Sequence, residues 1–245
     1  MATLYKMHDC GYKKCAPCHM KSYEATEIDY VCDYLDRITL FGKLNGVFVD
    51  IGAHVGLWSL SMSEWYINRY AIVPIIYALE PESKNFMQLC RNAQQSDTGI
   101  RPVQAAAWNK NTHLFLKTNE NPGRHQVIDV KSQQAQMMRV QAVALDNVVR
   151  DDANRQIDAI KIDVEGAELQ VLNGARGIFD ANKNLLVVVE YSIEHLAEYG
   201  THPNQITGFM QMNGFTPARE LDKHIVETIC VDDLKRVIFI KGDLS

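Results

Sequence analysis

Five short apolar runs alternate with stretches of helical periodicity along the chain. Residues Val47–Ile51 are the first run, followed by residues 74–79, 103–107, 157–162 and 185–189. Each is strand-sized and largely apolar at consecutive positions, the pattern of a strand buried on both faces. Between and after them, residues 54–66, 82–94, 167–172 and 206–212 are predicted helices. Phe86, Leu89, Cys90 and Ala93, for example, share one face. Ahead of the first run, Ile28, Val31, Cys32, Leu35 and Ile38 recur at three- and four-residue steps and predict an amphipathic helix over residues 23–41. Residues 112–117 alternate and read as an added hairpin strand, and residues 138–144 as another extended run. The polar stretch 119–125, turned by Pro122 and Gly123, reads as a loop. Residues 227–231 and 236–240 read as a terminal strand pair.

Buried strands alternating with helices predict an α/β domain, with a mostly parallel sheet covered by helices on both faces. That domain spans residues 23–245 with its amino-terminal helix, behind a cysteine-rich extension over residues 1–22. In such sheets ligands bind beyond the carboxyl ends of the strands. Four of the apolar strands end there in an acid: Asp50, Glu80, Asp163 and Glu190. A strand needs no terminal acid to fold, so the four together point to a site.

The loop after the first strand carries Asp50, Gly52, Ala53, His54 and Gly56. A strand–turn–helix of this kind brings backbone amides against a nucleotide-like ligand. Asp50 at its mouth would repel a pyrophosphate. It suits a ligand with positive charge and no phosphate, such as S-adenosylmethionine. Glu80, followed by Pro81, lies one helix and one strand further on, where an acid grips both hydroxyls of an adenosine ribose.

Asp163 and Glu190, on neighbouring strands, are candidates for a base and an orienting group, or for oxygen ligands of one Mg2+ ion. Glu165 and Glu168 lie three apart and share a side of the following helix. Attraction to that helix's amino terminus explains them equally well. His195 reads as a base or as a surface helix histidine. Asn119, Asn121, Arg124 and His125 offer donors for a polyol or anionic acceptor, or form a solvated hairpin tip.

Four motifs in order carry a family resemblance. They are the ten residues from Asp50 to Ser59, then Leu79-Glu80-Pro81, then Ala144-Leu145-Asp146, then the run from Ile160 to Glu168 with Val171 to Ala175. Together they resemble the FkbM family of methyltransferases. The resemblance implies a Rossmann-like class I methyltransferase fold with seven strands, and S-adenosylmethionine as methyl donor. It implies transfer to oxygen, usually a hydroxyl of a sugar or secondary metabolite. It also implies that the first motif and Glu80 hold the donor, and that Asp146 is structural. The amino-terminal extension lies outside it.

Composition adjusts this picture at the edges. The 245 residues suffice for one good core. A formal net charge of −5 disfavours a nucleic-acid backbone as main partner. No apolar run approaches a membrane span and no export signal is apparent, so a cytoplasmic protein is expected. In that compartment Cys10, Cys15, Cys18 and Cys32 read as zinc ligands, as an iron–sulfur site or as plain thiols. The expected function is an S-adenosylmethionine-dependent O-methyltransferase acting on a small molecule or glycan. The alternatives are a peptide or protein methyltransferase and a non-catalytic binding protein with a metal-bound docking segment.

Overall fold

The computed structural model describes residues 28, 31–36, 44–94, 97–117, 125–128, 137–149, 156–217 and 234–242. The strands, in chain order, are β1 (Val47–Ile51), β2 (Ile75–Leu79), β3 (Ile100–Val103), β4 (Ala106–Trp108), β5 (Thr112–Lys117), β6 (Gln126–Ile128), β7 (Met137–Ala144), β8 (Ala159–Asp163), β9 (Leu185–Ser192), β10 (Thr216–Pro217) and β11 (Leu234–Lys241). The helices are α1 (Leu57–Tyr70), α2 (Ser83–Gln94), α3 (Leu145–Val148), α4 (Glu168–Asn173), α5 (Arg176–Ala181), α6 (Ile193–Glu198) and α7 (Pro203–Met212). Residues 31–36 are also helical, with Val31, Cys32 and Leu35 buried as their spacing predicts.

One seven-stranded sheet runs in the order β10-β11-β9-β8-β1-β2-β3. It is parallel from β9 to β3, and β11 is antiparallel to both neighbours. Period-two alternation divides the core. Val49, Ile51, Ile160, Ile162, Val187 and Val189 pack toward Leu172, Phe179, Leu196 and Phe209 on one side. Phe48, Ile76, Leu186 and Val188 pack toward Val31, Leu35, Trp58, Met62 and Tyr66 on the other. Helices therefore cover both faces, because central strands with no polar face must be sealed twice.

Several boundaries correct the sequence expectations. The 103–107 run is not one strand. The chain turns at Gln104 and Ala105, with Ala105 N donating to Val103 O, and passes from the large sheet into a second, four-stranded sheet ordered β4-β7-β5-β6. Small apolar residues on both sides of the turn hid the break. Helix α1 starts at Leu57, three residues later than expected, because His54 (φ 51°) and Gly56 (φ 86°) are left-handed. Strand β9 continues to Ser192, so Glu190 lies inside it rather than at its end. Residues 227–231 lie outside the described residues; the observed terminal pair is β10 with β11.

Candidate active site

The glycine loop is built around a close approach. Gly52 N and Ala53 N both donate to Leu79 O, at 3.0 and 2.9 Å, which turns the chain across the end of β2. At Gly52 (φ 77°) a Cβ would stand 1.8 Å from the Asp163 carbonyl oxygen, so no other residue fits between β1 and β8 without moving one of them. Gly56 has a different task. A Cβ there would meet Leu89 Cδ1 at 2.5 Å, so it admits α2 rather than a ligand.

Beyond this loop lies a cavity of about 280 Å3, at the carboxyl ends of β1, β2 and β8. Gly52, Ala53 and His54 form its floor, and Glu80, Pro81 and Asn85 one end. Lys161, Asp163, Val164 and Glu165 form the other. Ala106, Ala107 and Val127 bring the second sheet up as a wall.

At the first end Glu80 is fixed. Its Oε2 accepts from His54 N and its Oε1 from Glu82 N, each at 2.9 Å. The residue is 5% exposed. Burial pushes its carboxyl up to about 7 against these hydrogen bonds, which favour the ionised form. Glu82 does the helix capping, its Oε2 accepting from Asn85 N at 2.8 Å, so Glu80 remains for the cavity. His125 lines the cavity and feels the charges of Glu82 and Lys84, which places it toward this end. Burial lowers its pKa first of all.

At the other end the carboxylates are more open. Asp163 is 31% exposed through its side chain and pairs with Lys161 Nζ at 3.2 Å. Glu165 has a left-handed backbone (φ 55°), and its Oε2 lies 2.6 Å from His195 Nδ1, close enough for an ion pair though not aligned as a hydrogen bond. Gly166 brings this turn down onto α6, since a Cβ there would meet His195 O at 2.5 Å. Glu168 is buried. Its Oε1 accepts from Gly166 N at 3.0 Å, and burial pushes its carboxyl up to about 7. Tyr199 OH donates to Val127 O, tying the end of α6 to the second sheet.

The expectations divide accordingly. Gly52, Ala53, His54, Glu80, Pro81, Asp163, Glu165 and His125 all line the cavity. Asp50 does not stand at its mouth: it is 0% exposed, with Oδ2 accepting from Ser59 Oγ at 2.6 Å. Its side chain follows Phe48 to the α1 side of the sheet, because alternate residues share a face. Burial raises its pKa, opposed first by the Lys161 ammonium. Glu190 is brought beside Asp163 by the β8–β9 register but is not part of the lining. Asp146 is structural, accepting from Gly177 N and Ile178 N at 3.0 and 2.9 Å to cap α5. Asn119, Asn121, Arg124, Cys10, Cys15 and Cys18 lie outside the described residues.

Among the described residues no group of three or more His, Cys, Asp and Glu side chains is placed to hold an ion. Lys161 already puts a cation against Asp163, where Mg2+ was expected. Cys32 is packed with Phe48, Trp58 and Met62 in the core. Also missed by the sequence was Lys161 itself, although a lysine inside an apolar strand is a visible signal.

A seven-stranded sheet with one antiparallel strand and a cavity over β1, β2 and β8 defines the class I methyltransferase fold. A family model for the FkbM methyltransferase domain matches residues 50–217, and the chain belongs to that family. Among solved structures, an rRNA methylase from Streptococcus thermophilus is 12% identical, with a TM-score of 0.50 over 95% of this chain and all (100%) of that one. An FkbM methyltransferase from Methylobacillus flagellatus is 15% identical, with a TM-score of 0.44 over 80% of this chain. This chain spans 43% of that protein's length. The chain matches no curated protein sequence. Among the described residues no helix is long and apolar enough to cross a membrane.

Proposed function

We propose that the chain binds S-adenosylmethionine and methylates a hydroxyl of a small molecule or glycan. One observation carries this reading. A single cavity joins the fixed Glu80 carboxylate to Asp163 and Glu165, across the ends of three adjacent strands. Its 280 Å3 lies near the lower end of the roughly 300–1,000 Å3 of ligand pockets.

The residues fit that donor. Glu80, oriented by two backbone N–H groups, keeps acceptor capacity for a ribose diol. Ala53, Pro81, Ala106 and Ala107 leave room for a flat base. Asp163 supplies negative charge for the cationic end, with Glu190 behind it on β9. Bound there, S-adenosylmethionine supplies a methyl group on a sulfonium, a leaving group that needs no acid. The protein's task is to hold the acceptor in line and remove its proton. We assign proton removal to Glu165, which lines the cavity and has His195, itself partly exposed, as its partner toward solvent.

Calorimetry with S-adenosylmethionine is the first test, followed by transfer of labelled methyl across sugars, metabolites and peptides, with and without divalent metal. Binding of the donor and labelling of a hydroxyl are expected. No donor binding would end the reading; labelling of a peptide or a nucleic-acid base would replace the acceptor class.

A further inference from the structure

Lys161 has no role in the function proposed so far, yet its placement is costly. It interrupts the apolar strand Ala-Ile-Lys-Ile-Asp, its side chain is 6% exposed, and it still lines the cavity. An ammonium is not buried in a sheet without a charge to meet. Two carboxylates neighbour it. Asp50 is its register partner on β1, held by Ser59, and Asp163 lies two residues on along β8 with its carboxylate at 3.2 Å. A lysine serving only as counterion to Asp50 could stay under the sheet, as Asp50 does. This one reaches the ligand space.

The position in the sheet says what it would meet there. Strands β8, β1 and β2 are consecutive neighbours, so the ends of β8 and β2 are two strand spacings apart, or roughly 10 Å. That is about the span from the ribose hydroxyls to the amino-acid end of an extended S-adenosyl amino acid. With Glu80 on the diol, the amino-acid end falls over β8. That end is a zwitterion, and Lys161 with Asp163 is a zwitterion of the opposite arrangement. We propose that Lys161 binds the carboxylate of the donor's amino-acid end while Asp163 binds its ammonium, so that the pair recognises this end as a unit. The proposal rests on the cofactor reading above and names a residue and a subsite that reading does not need.

The test is a ligand series measured by calorimetry on the whole chain: S-adenosylmethionine, its decarboxylated analogue, and 5′-methylthioadenosine, which lacks the amino-acid end. The wild-type protein should bind S-adenosylmethionine at least about tenfold tighter than the decarboxylated analogue, the effect of one charge-assisted contact. Lys161→Met should erase that difference while leaving methylthioadenosine unchanged, and Lys161→Arg should retain most of it. Asp163→Asn should weaken both amino-bearing ligands and spare methylthioadenosine. Equal wild-type affinity for S-adenosylmethionine and its decarboxylated analogue would overturn the clamp even if the Met variant failed to fold. So would a Met variant that weakens both of these ligands alike, which would make Lys161 a counterion of Asp163. A wild-type protein that binds none of the three ligands would instead overturn the cofactor reading, and the clamp with it.

Discussion

The two ends of the cavity are built differently. Glu80 is 5% exposed and both its oxygens are held by backbone N–H groups. Asp163 and Glu165 are held by side chains, Lys161 and His195, and Asp163 remains 31% exposed. Backbone donors cannot move without the fold moving, so the Glu80 end is preorganised before any ligand arrives. Side-chain partners can shift as charge moves, and that suits the end where a bond changes. The contrast predicts that damage at Glu80 is read in affinity and damage at Glu165, where the bond changes, in rate.

The largest effect should come from Glu165→Gln. Loss of the proton-accepting group should lower turnover by roughly 10²–10⁴-fold while donor affinity stays within a few fold. A variant turning over normally on the true acceptor would remove Glu165 from the chemistry. Gly52→Ala comes next, and it should erase the distinction between the ends. The left-handed backbone alone costs about 1–3 kcal/mol, and the added Cβ meets Asp163 O at 1.8 Å. Stability in urea and donor affinity should fall together. Glu80→Gln should weaken the donor by roughly 10–100-fold, from charge-assisted hydrogen bonds of about 1.5–3 kcal/mol, and leave kcat at saturating donor nearly unchanged. If kcat falls instead, the affinity end and the rate end are not separate.

How much of this could be read from the sequence follows the same divide. The sheet was legible because its central strands are apolar on both faces, as in Val47–Ile51, and strand-end acids mark where ligands bind. Asp163 and Glu80, picked out that way, line the cavity. Asp50 was misplaced by the same logic: it lies one residue before the end of β1, and period-two alternation turns it under the sheet against Ser59. Glu190 was misplaced because β9 runs two residues past it. The second sheet's contribution, Ala106, Ala107 and Val127, was not legible. Small apolar side chains carry no signal for which sheet they join, and that is decided by tertiary pairing.

Titration separates affinity from stability in opposite directions. Glu80 and Glu168 both have carboxyls pushed up to about 7 by burial, from an ordinary value of 4.5. A raised folded-state pKa means the native protein holds the proton more tightly than the unfolded chain. The stability these groups lend is therefore complete below about pH 4.5 and is lost as pH rises through 7. Each should contribute on the order of 2 kcal/mol of decline between pH 5 and 8. Donor affinity should run the other way, because the ribose diol needs an ionised Glu80. It should fall about tenfold from pH 8 to pH 6, and Glu80→Gln should flatten that profile. Glu168→Gln should remove about half of the stability decline and leave the affinity profile intact. Affinity that is level across this range in the wild-type protein would mean that Glu80 does not take the diol.

The smallest expected effect tests the wall between the ends. Tyr199 OH donates to Val127 O, and Val127 lines the cavity from the second sheet. Burial raises the phenol's pKa, with Glu168, Glu198 and Glu165 adding to it, so the hydroxyl stays protonated as a donor. Tyr199→Phe keeps the ring, which packs with the second sheet's core, and removes one hydrogen bond of about 1 kcal/mol. The Val127 carbonyl is then left to find another donor. Thermal stability should drop slightly, and donor affinity and turnover should fall together by no more than about fivefold, because the wall serves both ends. A loss confined to turnover would show that the second sheet belongs to the Glu165 end alone, and would move the boundary between the two regions accordingly.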